Sequence, residues 1–255
     1  MIRNQSIILI VSILPSLSFA QIETLNFQKQ QITNQLSQQL CQQLPKECGN
    51  KNDWKFYKVK QKTNQNYLIS NLKLFQIEQN KQMFTVLNQW DFSNYQPKTQ
   101  RPRWASYDEG DEINHVSIFP KLFKITDKAY AVGIVQEWNE GYSGGGMNEE
   151  VADFLQLKAN GQYQQVFQNV PLSMYRMIRA CFSEEDYKKA GEQCHDEYTL
   201  NTQIEYSTPY EWKVKYEYQN FISKVSDSEI KLIHQRKTYT LNSNKANAIQ
   251  FPKAW

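Results

Sequence analysis

Tyr198-Thr-Leu-Asn-Thr-Gln-Ile-Glu-Tyr206 and Trp212-Lys-Val-Lys-Tyr-Glu-Tyr-Gln219 decide the fold class of this chain. In the first run Tyr198, Leu200, Thr202, Ile204 and Tyr206 alternate with Thr199, Asn201, Gln203 and Glu205. In the second, Trp212, Val214, Tyr216 and Tyr218 alternate with Lys213, Lys215, Glu217 and Gln219. Successive side chains of a strand face opposite sides, so each run has one face to bury and one to wet. Ser207-Thr208-Pro209 lies between them, and the pair reads as an antiparallel hairpin.

Working outward, the same period recurs. Phe84, Val86, Trp90 and Phe92 share one phase, and Tyr130, Val132 and Ile134 share another. Val116 to Ile125 and Tyr130 to Trp138 flank the turn Thr126-Asp127-Lys128. Asn160-Gly161 separates residues 151–158 from 162–168. Both turn residues tolerate positive φ, so this pair predicts a tight hairpin. Residues 25–44 predict a helix: Ile32, Leu36, Leu40 and Leu44 lay an apolar stripe along one face, and Pro45 ends it. The fold class expected is mainly β (α+β), an antiparallel meander-like sheet with one N-terminal helix. Residues 21–255 read as a single β-rich domain.

The first twenty residues carry an address. Arg3 precedes the apolar run Ile7 to Leu14, Pro15 breaks it, and Ser18-Phe19-Ala20 closes it with small residues at the positions a signal peptidase reads. The run is too short to span a bilayer, which needs roughly 20 residues. Residues 1–20 are therefore expected to be a signal peptide, and the protein to be periplasmic or secreted. In an oxidising compartment the four cysteines, Cys41, Cys48, Cys181 and Cys194, read as two disulfides. Proximity favours Cys41–Cys48 and Cys181–Cys194. No close C-x-x-C pair points to zinc.

The chain carries 29 basic and 26 acidic residues, a formal net charge of +3. Loss of the leader removes Arg3 and no acid. A nearly neutral protein lacks the basic footprint of a nucleic-acid binder. Trp255 ends the chain on an aromatic, as outer-membrane barrels often end, but Pro252 interrupts the last segment and the strand spacing is irregular. No integral membrane insertion is expected.

Five features of the chain bear on chemistry. Gly141-Tyr-Ser-Gly-Gly-Gly146 lacks the helix and the Lys-Ser/Thr pair of a phosphate loop, and reads as a flexible or bulged hairpin. Asp108-Glu-Gly-Asp-Glu112 does not match a calcium loop and reads as a solvated turn. His115, His195 and His234 belong to neither a Gly-x-Ser-x-Gly elbow nor a His-Glu-x-x-His zinc motif. Glu137 and Glu140 flank Trp138 near the glycine stretch, and paired carboxylates can cleave a glycoside. Arg101, Arg103, Trp104 and Tyr107 lie in the long loop Asn94 to Asn114, and these residue types dominate interface energetics.

These readings predict an exported, non-catalytic binding protein of inhibitor or immunity type. Its partner would be another exported protein, and no cofactor or metal is called for. An envelope-acting hydrolase using Glu137, Glu140 or a histidine is the alternative. A surface or assembly factor that makes contact through the N-terminal helix is another. Amino-terminal sequencing of the exported protein is expected to start at Gln21. A product that begins at Met1 would overturn the leader assignment.

Overall fold

The computed structural model describes residues 24–60, 62, 64–97, 115–226 and 232–243. The leader, Trp255 and the loop residues Arg101, Arg103, Trp104 and Tyr107 lie outside this set, as does Asp108 to Glu112. Among the described residues, no helix is long and apolar enough to cross a membrane.

The fold is mainly β, as the alternating runs predict. Five strands come first: β1 (Thr24–Gln30), β2 (Lys55–Val59), β3 (Gln65–Ser70), β4 (Lys73–Asn80) and β5 (Met83–Asp91). Seven follow: β6 (His115–Thr126), β7 (Ala129–Tyr142), β8 (Gly145–Leu157), β9 (Tyr163–Arg179), β10 (His195–Thr208), β11 (Glu211–Phe221) and β12 (His234–Asn242). All twelve join one antiparallel sheet in the order β12-β11-β10-β9-β8-β7-β6-β1-β2-β3-β4-β5. Two meanders thus meet at β1. One side of β1 pairs with β2, where Phe27 faces Val59, and the other with β6, where Leu25 faces Leu122.

The sheet runs between three apolar cores, and strand parity assigns each residue to its core. On β7, Ala131 and Val135 enter a core with Phe154, Phe167, Trp212 and Tyr216. Val132 and Ile134, the intervening residues, enter a second core with Leu25, Tyr57, Tyr67 and Trp90. β6 divides in the same way, with Phe123 and Ile125 on one face and Ile118 and Leu122 on the other. β2 separates the second core from a third: Tyr57 and Val59 face the second, while Phe56 joins Leu36, Leu40 and Leu44 in the third. Each apolar side chain fully buried this way contributes roughly 1.5–3 kcal/mol.

Two indoles fasten the curled sheet. Trp212 is fully buried, packs against Phe154 and Phe167, and donates from Nε1 to the Lys124 carbonyl at 2.7 Å. The Tyr210 amide adds a bond to the Ile125 carbonyl at 3.0 Å, so the β10–β11 turn rests on the end of β6. At the other extreme of the sheet, Trp90 Nε1 donates to the Lys158 carbonyl at 2.8 Å. This holds β5 against the 3-10 turn Ala159–Gly161 that joins β8 to β9.

The hairpins expected at 198–218, 116–138 and 151–168 are all present. Asn160 and Gly161 adopt φ of 58° and 73°, as an Asn-Gly turn requires. β9 continues to Arg179, well past the predicted end at 168, because β8 pairs with it as far as Met177 and β10 joins from Ser173 onward.

Three expectations need correction. The helix is not 25–44 but α1 (Asn34–Gln43), and residues 24–30 form β1. Thr33 starts the helix, its Oγ1 accepting the Leu36 amide at 3.2 Å, while Leu25 and Phe27 alternate as strand residues between β2 and β6. Secondly, Phe84, Val86, Trp90 and Phe92 share a phase in sequence but not a face. A register shift between β4 and β5 leaves Leu87 without an opposite residue, so Phe84 and Val86 meet the third core and Trp90 and Phe92 the second. Thirdly, a further helix, α2 (Glu184–Ala190), follows β9.

A Cβ built on Gly161 would sit 2.6 Å from the Gln89 carbonyl oxygen, and its φ already disfavours a side chain. Gly161→Ala is expected to destabilise by about 1–3 kcal/mol in chemical denaturation. An unchanged midpoint would mean that the β8–β9 turn does not bear on β5.

Candidate functional site

Both disulfides form as the spacings favour: Cys41–Cys48 and Cys181–Cys194. The first ties α1 to the 3-10 turn Cys48–Asp53. Gln43, at the end of that helix, accepts the Val86 amide at 2.9 Å through Oε1 and donates through Nε2 to the Phe84 carbonyl. Its amide group thus occupies backbone positions on β5, the terminal strand of the sheet.

The second disulfide closes a loop that projects from the end of β9. Ser183 caps α2 by accepting the Asp186 amide at 3.2 Å. Asp186 Oδ2 in return accepts the amides of Phe182 at 3.0 Å and Ser183 at 2.9 Å. These bonds, the Phe182 amide foremost, hold the Asp186 carboxyl below its ordinary range. Acids fill the first turn, Lys188 and Lys189 the last, and Gly191 ends the helix at φ 67°. Below, Cys181, Cys194 and Ala190 form a small core closed by Val225. The Ser223 amide and the Ser226 hydroxyl both donate to Asp196 Oδ1, at 2.8 and 2.6 Å.

Arg179 is the hub of this loop. Its Nε donates to the Cys181 carbonyl at 2.7 Å and one terminal nitrogen to the Tyr187 hydroxyl at 3.2 Å. Its guanidinium lies 5.3 Å from the centre of the Phe182 ring. Its stem crosses the β7–β8 turn, where a Cβ on Gly144 would meet Arg179 Cδ at 2.6 Å. The glycine stretch is thus a hairpin whose missing side chain admits Arg179.

Two aromatic side chains stand exposed beside this hub. Phe182 is 74 % exposed and Tyr187 48 %. Tyr175 and Phe221 are also exposed, at the same end of β9 and β11, where Glu197 pairs with both Met177 and Phe221.

The proposed acid pair does not assemble. Glu137 and Glu140 differ in parity on β7 and so point to opposite faces of the sheet. Glu137 Oε1 accepts the side-chain amides of Asn139 at 2.8 Å and Asn148 at 3.0 Å. The histidines are the first residues of β6, β10 and β12, strands that are not adjacent in the sheet order. Among the described residues no three His, Cys, Asp or Glu side chains gather in a way that could hold a metal ion.

A carboxyl that sequence reading passed over is the most perturbed. Glu149 on β8 lies opposite Trp138 on β7 and Met174 on β9. It is 4 % exposed, and neither its Oε2 nor Trp138 Nε1 has a hydrogen-bond partner. Burial pushes its pKa up to about 8.

Cavities also open on the first meander, one of them, of about 410 Å³, beside Lys62, Gln76, Glu78 and Leu87. A cleft of about 580 Å³ between β1, β2 and β6 is lined by Lys29, Lys55, Trp54, Tyr57, Leu72 and His115 among others. A groove of about 370 Å³ separates the start of α1 from β1–β4. Comparison with protein families, curated proteins and solved structures finds no match to the chain.

Two signals in the sequence could have found the disulfide loop's helix: Ser183-x-x-Asp186 as a capping pair, and Gly191 at its end. Nothing local marks Glu149 as buried, since Glu149-Glu150 follows glycines and resembles a wet turn.

The unfolded carboxyl of Glu149 releases its proton near 4.5, and the folded one holds it to about 8. The native state binds the extra proton between these values, so stability falls as pH rises from 4.5 and levels off above 8. Glu149→Gln is expected to remove this slope and to exceed the wild type at pH 8 by roughly 3–5 kcal/mol. Parallel stability–pH curves for the two proteins would show that Glu149 is solvated.

Proposed function

We propose that the protein is an exported, non-catalytic binding protein of inhibitor or immunity type that presents its Cys181–Cys194 loop to another exported protein. One observation carries the reading. Phe182 is exposed on a loop that a disulfide, a capping box and Arg179 together hold in one conformation. Presenting a large apolar side chain to water without a partner is unfavourable, and presenting it on a rigid loop lowers the ordering cost of association. Arg179 lies against its ring and holds Tyr187 beside it, and aromatic residues and Arg are the usual anchors of such contacts. The projecting shape calls for a concave partner that receives Phe182 in an apolar pocket.

The contact first expected, around Arg101, Arg103, Trp104 and Tyr107, is a separate proposal on residues outside the described set. The carboxylate pair of the hydrolase reading gains no support, because Glu137 and Glu140 sit on opposite faces.

Immobilised protein, incubated with the extracellular fraction of its source, tests the proposal. Phe182→Ser is expected to weaken capture of the partner about tenfold or more, with an unchanged melting temperature. Reversal of Arg101 and Arg103 to Glu is expected to leave capture intact. Capture lost only on the arginine reversal would move the contact to the 101–107 segment. Fragments released from purified peptidoglycan would overturn the non-catalytic reading.

A further inference from the structure

The groove beneath the start of α1 is a second, chemically different place. Its floor is the helix-side face of β2–β4, where Phe56 and Lys58, Asn66, and Gln79 share parity with the third core. Its wall is the first turns of α1, which contribute Gln35, Leu36 and Gln39.

Two polar atoms there are buried and unsatisfied. Asn66 is 1 % exposed, lines the groove and leaves Nδ2 with no acceptor. Gln39, on the facing helix, leaves Oε1 buried with no donor. A buried polar group without a partner costs roughly 1–3 kcal/mol, and an apolar residue of similar shape would avoid that cost. A donor on the floor and an acceptor on the wall are what one hydroxyl group satisfies, since it accepts and donates at once.

The rest of the lining narrows the chemistry. Among the described residues it is dense in side-chain amides and holds no carboxylate. Lys58 and Lys81 are exposed at its rim. The first turn of α1 carries no acidic residue, so the positive end of the helix dipole is not neutralised from within. Phe56 and Phe84 meet edge to face with ring centres 5.9 Å apart and supply an apolar flank.

We infer that this groove is a binding site for an acidic saccharide, a hydroxyl-bearing ring with a carboxylate or sulfate. A ring hydroxyl accepts from Asn66 Nδ2 and donates to Gln39 Oε1. The acidic group lies toward Lys58, Lys81 and the amides of the first helical turn. The site is independent of the Phe182 loop and stands whether or not that loop engages a partner.

Side-chain amide resonances of the isotope-labelled, disulfide-bonded protein provide the test. The probes are a sulfated chondroitin disaccharide, chitobiose as a neutral sugar, and inorganic sulfate. The sulfated disaccharide is expected to shift the Gln39 and Asn66 amides and to bind at least tenfold more tightly than either of the others. Asn66→Leu is expected to abolish the shift of the Gln39 amide without lowering the melting temperature. Lys58→Glu, at an exposed site, is expected to weaken binding about tenfold, and it carries the test if Asn66→Leu folds poorly. No shift with any probe would overturn the proposal. Equal binding of sulfate would reduce the groove to an anion site, and equal binding of chitobiose would remove the acidic requirement; either result overturns it as stated.

Discussion

Burial of the central strands on both faces governs this molecule. β7 shows it most plainly. Ala131, Gly133 and Val135 point one way and Val132 and Ile134 the other, and neither set reaches water. A strand in this position cannot slip by one residue, because the exchange would put large side chains where small ones fit. Gly133 marks the tightest point, with Phe119 and Phe154 both 3.3 Å from where its Cβ would be. Register, curl and the placing of both indole clasps follow from that two-sided packing.

The same constraint decides what could be read from sequence. Strands with one wet face, such as β10 and β11, declare themselves by alternation, and so does the hairpin that Asn160-Gly161 turns. The short disulfide loops were legible from spacing alone. What remained hidden depended on distant partners. Leu25 and Phe27 look like the start of the helical stripe until β6, far along the chain, claims β1 as its neighbour. The extra residue at Leu87 reverses the faces of β5 and leaves no mark in the local pattern. Glu149 reads as a surface acid, and only Trp138 and Met174 on the adjoining strands make it a buried one.

Polar groups inside the protein fall into two kinds. Asp153 is fully buried yet answered, accepting the Tyr95 hydroxyl at 3.0 Å and the Asn169 amide at 2.9 Å, and it fixes the segment after β5 to the middle of the sheet. Glu149, Trp138 Nε1, Asn66 and Gln39 are left unanswered. The first kind specifies structure. The second weakens it, and in the amide groove both residues that carry orphan atoms line a cavity. That difference separates the α1 groove from the Glu149 neighbourhood, even though both hold unsatisfied groups. The Phe182 loop differs again: its exposed aromatic side chains, Phe182 and Tyr187, stand beside the charged side chains of α2.

The place of β1 in the sheet has a consequence for biogenesis. It is the earliest strand, yet one of its two ladders is completed only by residues 121–123 of β6. A chain delivered amino end first presents the first meander with that ladder open until β6 has emerged. A bare strand margin of this kind recruits other chains as readily as its own. The interval between the two halves, set by the speed of synthesis, is when this protein most needs a chaperone's shelter.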